Sequence, residues 1–176
     1  MKLTEKRLLD FTVDKLTNSV ENAISCEIFK TEVLPLSHKD LKTIFKKEGW
    51  KFNWRAEFKL TDRTVFKLII SGNSSNVIHG LISLTPTVDN VFMNLIESAP
   101  FNIGKTKIYL GVPGNLVAFA CKQSFQRGTE GYVSFYSKTK LIGHYEKTLG
   151  AVHIGGHLMV INTNAALKLM DKYFKK

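Results

Sequence analysis

The chain has 176 residues, 44% of them apolar and 23% charged, which excludes an intrinsically disordered protein and allows one domain with a sizeable buried core. No apolar run nears the roughly 20 residues that span a bilayer, and no apolar stretch follows the charged start Met1-Lys-Leu-Thr-Glu-Lys-Arg7, so a cytoplasmic protein with no membrane and no secretory signal is expected. The net charge of +10 is uneven: residues 1–60 carry 12 Lys+Arg against 9 Asp+Glu, residues 61–100 carry 2 against 3, and residues 101–176 carry 11 against 3. Such a basic half suits a polyphosphate ligand, an acidic partner or nucleic acid, and equally serves solubility alone.

Leu9, Val13, Leu16 and Val20 recur at spacings of four, three and four, which predicts an amphipathic helix over 3–24 with no evident cap. Residues 27–36 alternate loosely and read as extended. Ser37-His-Lys-Asp40 resembles a capping box with Asp in place of Glu, opening a short helix over 39–47 that Gly49 stops. Phe52, Trp54, Ala56, Phe58 and Leu60 fall on alternate positions between polar residues, which predicts a half-buried strand over 51–60. With Trp50, these aromatics read either as core or as the lining of an acceptor pocket. Turns at 61–63, 71–76 and 85–90 separate strands predicted at 65–70, 77–84 and 91–97, an antiparallel meander.

The pattern then changes to a glycine turn, a helix over 114–127, a strand over 131–136, a helix over 139–149 ending at Gly150, a strand over 152–161 and a last helix from Thr163. A strand, a helix and a strand joined by links of this length imply parallel neighbours and a right-handed crossover. The expected fold is a mixed α/β sheet in a single domain, with an N-terminal helical segment (1–50), strands (51–100), a cofactor-binding half (101–162) and a C-terminal helix (163–176). Cys26 and Cys121 lie too far apart for a metal or redox motif and read as small buried hydrophobes. His153 and His157, four apart on one predicted strand, would share a face, but no third ligand accompanies them. Gly155-Gly156 between them marks a bulge or an edge.

The turn Tyr109-Leu110-Gly111-Val112-Pro113-Gly114-Asn115-Leu116 carries the chemistry. A strand feeding a glycine turn that opens a helix presents free backbone N–H groups to an anion, and proline at the helix start has no N–H to waste. This turn, the element order over about 50–162 and the segment His144-Tyr145-Glu-Lys-Thr-Leu-Gly150-Ala resemble the GNAT superfamily of acyl-CoA-dependent N-acyltransferases. Gly111 stands at the first glycine of that family's pyrophosphate turn, Val112 at its aliphatic position, Pro113 at its second glycine or alanine and Leu116 at its leucine. Ile108 replaces the usual Arg or Gln, with Lys105 and Lys107 to supply charge instead, and the Gly114 N–H would compensate for the donor that Pro113 lacks. Thr148 is an insertion, and Ala151 replaces an aromatic residue.

The resemblance implies acetyl-CoA or another short acyl-CoA as cofactor and direct transfer to an amine, small-molecule or macromolecular. Tyr145 inherits the role of general acid toward the departing thiolate, and Glu97, at the end of the strand before the turn, that of the base acting on the amine. Leu95 and Ile96 would offer backbone groups to the pantetheine arm. Lys107, Gly111, Val112, Gly114, Asn115 and Tyr145 would meet the cofactor, as would Lys138, seven residues before Tyr145, where the family often has asparagine. Two other readings stay open: a non-catalytic GNAT-like binding module, and a basic RNA- or nucleic-acid-associated protein. Exposed strand edges leave room for a homodimer.

Overall fold

The computed structural model describes residues 7–16, 19–72 and 76–174. Its frame is a seven-stranded sheet in the order β3-β4-β5-β6-β8-β10-β9, beside a small sheet ordered β2-β1-β7. The large sheet begins with β3 (Thr31–Pro35), β4 (Thr64–Ile70), β5 (Gly80–Pro86) and β6 (Val91–Ser98), each antiparallel to the last. The chain then passes through β7 (Tyr109–Leu110) and α2 (Val112–Gln126) and returns as β8 (Val133–Tyr136), parallel to β6. After α3 (Ile142–Leu149) come β9 (Val152–Gly155), β10 (Leu158–Ile161) and α4 (Thr163–Tyr173). The antiparallel meander of β4, β5 and β6 and a parallel crossover, from β6 through α2 to β8, are as the sequence predicts, whereas the strands on either side of α3 do not form a parallel pair, since β10 is antiparallel to β8.

Helix α2 is buried along most of its length because it lies between the sheet, on β5 and β6, and α4. Its apolar residues therefore surround it instead of forming a stripe. Gly114 in its first turn is a packing residue: a Cβ there would lie 1.7 Å from the Tyr173 hydroxyl of α4. His79, just before β5, is enclosed edge-on by Phe101 and Tyr109 and hydrogen-bonded to Asn102, and burial lowers its pKa to about 4.

Four predicted elements differ from those observed. In place of a helix over 3–24, residues 7–16 contain no helix, Leu9 bridges in parallel to Ser137, and β1 (Val20–Asn22) pairs with β2 (Ile28–Phe29) and β7. Residues 3–6 and 17–18 of that prediction lie outside the described residues. A spacing of four fits a strand as well as a helix, and Phe11, packed against the core midway between buried Leu9 and Val13, completes a period of two.

The reverse happens at 51–60, where the predicted strand is helix α1 (Trp54–Phe58). Asn53 caps it by accepting from Ala56 N–H, and the buried positions are Trp54 and Glu57, one helical turn apart. The single strand predicted over 152–161 is a hairpin that turns at Gly155 and Gly156, both with positive φ. His153 and His157 therefore do not share a strand face; they bond the Gly156 and Ser137 carbonyls respectively. The short helix predicted at 39–47 is two 3-10 turns, Asp40–Thr43 and Lys46–Glu48, with the Ser37–Asp40 capping box formed and Gly49 ending the second.

Two outcomes follow from this packing. Unfolded histidine binds a proton below about pH 6.5 while folded His79 resists it until about pH 4, so stability should fall as pH drops through that window, by roughly 3 kcal/mol in all. Urea unfolding at pH 7 and at pH 4.5 should show the loss, and His79→Gln should flatten it. Gly114→Ala should cost about 1–3 kcal/mol by overpacking against Tyr173 despite alanine's better helix propensity, with part recovered when Tyr173→Phe removes the hydroxyl.

Candidate active site

Strands β6 and β8 pair only through Val91↔Val133 and Phe92↔Ser134, although β6 runs on to Ser98. The cause lies on the other edge of β6. Its register with β5 shifts so that Asn94 is an extra residue between Met93↔Leu84 and Leu95↔Ser83, and such a bulge bends its strand. The Asn94 amide fixes the bend by donating to Thr85 Oγ1 at 2.9 Å. Beyond it a cleft of roughly 470 Å³ opens, lined by Ile96, Glu97, Lys105, Lys107, Pro113 and residues of the N-terminal segment.

At the inner end of this cleft is the start of α2. Gly111, at φ 92°, is its N-terminal residue outside the helical turn, and its N–H points at the Asp14 carboxylate, 3.2 Å away. Lys107 Nζ binds the other oxygen of Asp14 at 3.0 Å. The turn is held from below by Asn102, which accepts from Tyr109 N–H and donates to the His79 carbonyl. Val112 is buried with its side chain in the core. Asn115 is not an open cofactor ligand: its N–H is used within the helix to Gly111 O, and its buried amide donates to Ser19 O and Gly111 O. Its oxygen accepts from Thr31.

Tyr145, on α3, is fully buried behind Phe11, which lines the cleft. Its ring stacks on Phe11 at 4.6 Å and meets Phe135 edge-on, and its hydroxyl donates to Phe11 O at 2.6 Å. Burial, with the charge of Asp10, pushes the phenol well above its ordinary pKa. The neighbouring His144 accepts Val13 N–H on Nε2 at 2.9 Å, which leaves Nδ1 to carry the ring proton. Lys138 reaches Asp10 at 2.7 Å. Burial raises the Asp10 carboxyl, but the hydrogen bond and charge of Lys138, helped by Lys51 and Lys140, outweigh this and hold it below the usual range.

Glu97 closes the outer end. It is buried and accepts from Lys51 N–H at 2.7 Å, Phe52 N–H at 3.3 Å and the Trp54 indole at 2.8 Å. Three of its roughly four lone-pair sites are thus taken, leaving one for a water or an amine. Trp50 and Trp54 are buried core, whereas Phe52 reaches the cleft wall. Cys121 is fully buried and its thiol is pushed up to about 12 by burial, so it offers no nucleophile; Cys26 is exposed.

Ile96, Glu97 and Lys107 line the cleft, while Gly111, Lys138 and Tyr145 lie behind its wall and are bonded to Asp14, Asp10 and Phe11, which line it. Val112, Gly114 and Asn115 serve packing and the helix start, and the Leu95 side chain is core. What sequence reading missed is the segment 8–15, which touches most of these groups. Signals were present in the lack of a helix cap, the run of Phe11, Thr12 and Val13 with its preference for extended backbone, and two aspartates in a basic protein.

No protein-family model matches the sequence, and no curated protein matches it. In structure the chain is similar to the ribosomal-protein-S18-alanine N-acetyltransferase from Escherichia coli, with a TM-score of 0.50 and 16% identity over 75% of this chain and 94% of that one. At this identity the likeness is one of fold: a mixed α/β architecture with a seven-stranded sheet, consistent with the GNAT fold.

Proposed function

We propose that the chain is an N-acyltransferase that moves an acetyl group from acetyl-CoA directly to an amine. The observation that carries this reading is one cleft, beside the parting of β6 and β8, with the fixed carboxylate of Glu97 in its lining, the Gly111 N–H behind Asp14 and the buried Tyr145 phenol behind Phe11. The cofactor's pyrophosphate would lie at Gly111 and Lys107, where helix α2 offers its positive end. Its pantetheine arm would run along the backbone of Leu95 and Ile96, with Lys138 on the far side.

In the reaction the amine, after losing a proton to water held by Glu97, attacks the thioester carbonyl. The carbon–nitrogen bond forms, the carbon–sulfur bond breaks, and the electron pair leaves on sulfur. Tyr145, once its hydroxyl is free of Phe11 O, would meet that sulfur as a protonated phenol. Because burial raises its pKa far above that of a thiol, its main work is to stabilise the thiolate by a hydrogen bond, with complete proton transfer uphill. The inert Cys121 favours direct transfer over an acyl-enzyme. The acceptor would enter past Lys51 and Phe52. The lysines Lys147, Lys168 and Lys172, which line a separate pocket with Asn162 and Asn164, suit an acidic or phosphorylated acceptor, nucleic acid included.

A second reading keeps the fold and drops the chemistry, a binding module. Its support is that Pro113 supplies no N–H and that the Gly111 N–H already meets a carboxylate.

Calorimetry with acetyl-CoA, beside thiol release in the presence of a polyamine, an aminoglycoside and a lysine peptide, separates the two. Tyr145→Phe should bind acetyl-CoA no more weakly than the wild type and release thiol about 10- to 100-fold more slowly. Binding without any release by the wild type would favour the binding module. Glu97→Gln should slow release and also lower stability by about 1–3 kcal/mol, since its amide would face an N–H that the carboxylate now accepts.

A further inference from the structure

We propose that residues 8–15 form an intramolecular plug, which fills the gap between β6 and β8 and walls the cleft on that side, and must leave before the cofactor binds. The proposal rests on the acyltransferase reading and adds a control to it. Four of the groups assigned to the cofactor, Gly111, Lys107, Lys138 and Tyr145, are engaged by this one extended segment. Asp14 takes the Gly111 N–H and Lys107 at the pyrophosphate position, and Asp10 takes Lys138. Phe11 O accepts the Tyr145 hydroxyl that would otherwise face sulfur, while the Phe11 ring covers the phenol.

Leu9 supplies the extended backbone. Its N–H donates to Tyr136 O at 2.7 Å and its carbonyl accepts from Lys138 N–H at 3.0 Å, so the segment runs beside β8 where β6 has turned away. Val13 N–H is taken by His144. The segment is thus a pseudo-ligand: two carboxylates four residues apart on an extended chain, bound by the same lysines and helix start that a phosphorylated cofactor would use.

Removal of the plug draws Leu9 and Val13 out of the core, which makes the open form a minor one, but its charged contacts are weak. Its pair with Lys138 is partly exposed, with 31% of the Asp10 side chain and 44% of the Lys138 side chain accessible, the kind of ion pair that adds little stability and is screened by salt. It is tethered at both ends by contacts outside the cleft. Arg7 pairs with the buried Glu57, and Lys15 O accepts from Tyr173. If only a fraction of molecules has the plug out, the apparent dissociation constant for acetyl-CoA rises by the inverse of that fraction.

A disulfide between the bridge partners Leu9 and Ser137 tests this in the full chain, using Leu9→Cys with Ser137→Cys and Cys26→Ser to remove the exposed thiol. Acetyl-CoA is titrated into the oxidised and the reduced protein by calorimetry, with thermal melts to establish that both are folded. The expected result is at least a 100-fold loss of affinity on oxidation, restored by reduction, and at least a 10-fold gain over the wild type in Asp10→Asn/Asp14→Asn. Equal affinity in the oxidised and reduced forms overturns the plug and leaves the acyltransferase reading standing. No binding by either form, nor by the aspartate variant, overturns the cofactor reading and the plug with it.

Discussion

The parting of β6 from β8 after Phe92 is the constraint on which the site depends. Two neighbouring parallel strands that separate inside a sheet leave backbone N–H and C=O groups facing a gap, and such groups must find partners. Here Asn94 sets the bend, and past it β6 is paired through its β5 edge, Leu95 to Ser83 and Ile96 to Ile82. On the β8 side, Tyr136 O and Lys138 N–H are met by Leu9. The gap is therefore a place where an extended chain fits, whether a pantetheine arm or a piece of polypeptide.

Electrostatics decides what the gap prefers. The N-terminus of α2, Lys107 and Lys138 make its inner wall positive, and Asp14 and Asp10 answer them within the same chain. Below the segment, Glu57 is buried between Arg7 and Arg63, with burial opposing its charge and the two guanidiniums more than offsetting it to hold the carboxyl below its ordinary range. That pairing anchors the segment outside the cleft, while Leu9 and Val13, buried in the core, must come out with Asp10 and Asp14 when the segment leaves.

The central sheet was legible in sequence because its strands are bounded by turn residues and rejoined by a helix of clear length. The segments misread share one ambiguity. Leu9 and Val13 are four apart, as are Trp54 and Phe58, and four positions return to the same face on a helix and on a strand alike. Partners remote in sequence settled each case. Tyr136 and Lys138 hold residues 8–10 extended, while the Glu97 carboxylate gathers the Lys51 and Phe52 N–H groups and lets Asn53 start a helix. Among site residues, Tyr145, Glu97, Lys107, Lys138 and Gly111 were visible as a motif or as strand-end and turn chemistry. Gly114 and Asn115 sit in the same motif, yet what fixes them is Tyr173 and Ser19, which local pattern cannot reveal.

Amide hydrogen exchange of the full chain with and without acetyl-CoA tests the shared use of the cleft most directly. If cofactor and segment compete for it, Gly111 and the Leu95–Glu97 backbone should gain or keep protection on adding acetyl-CoA, while Leu9 and Val13, now bonded to Tyr136 O and His144, lose theirs. Unchanged exchange at Leu9 and Val13 with acetyl-CoA bound would contradict it.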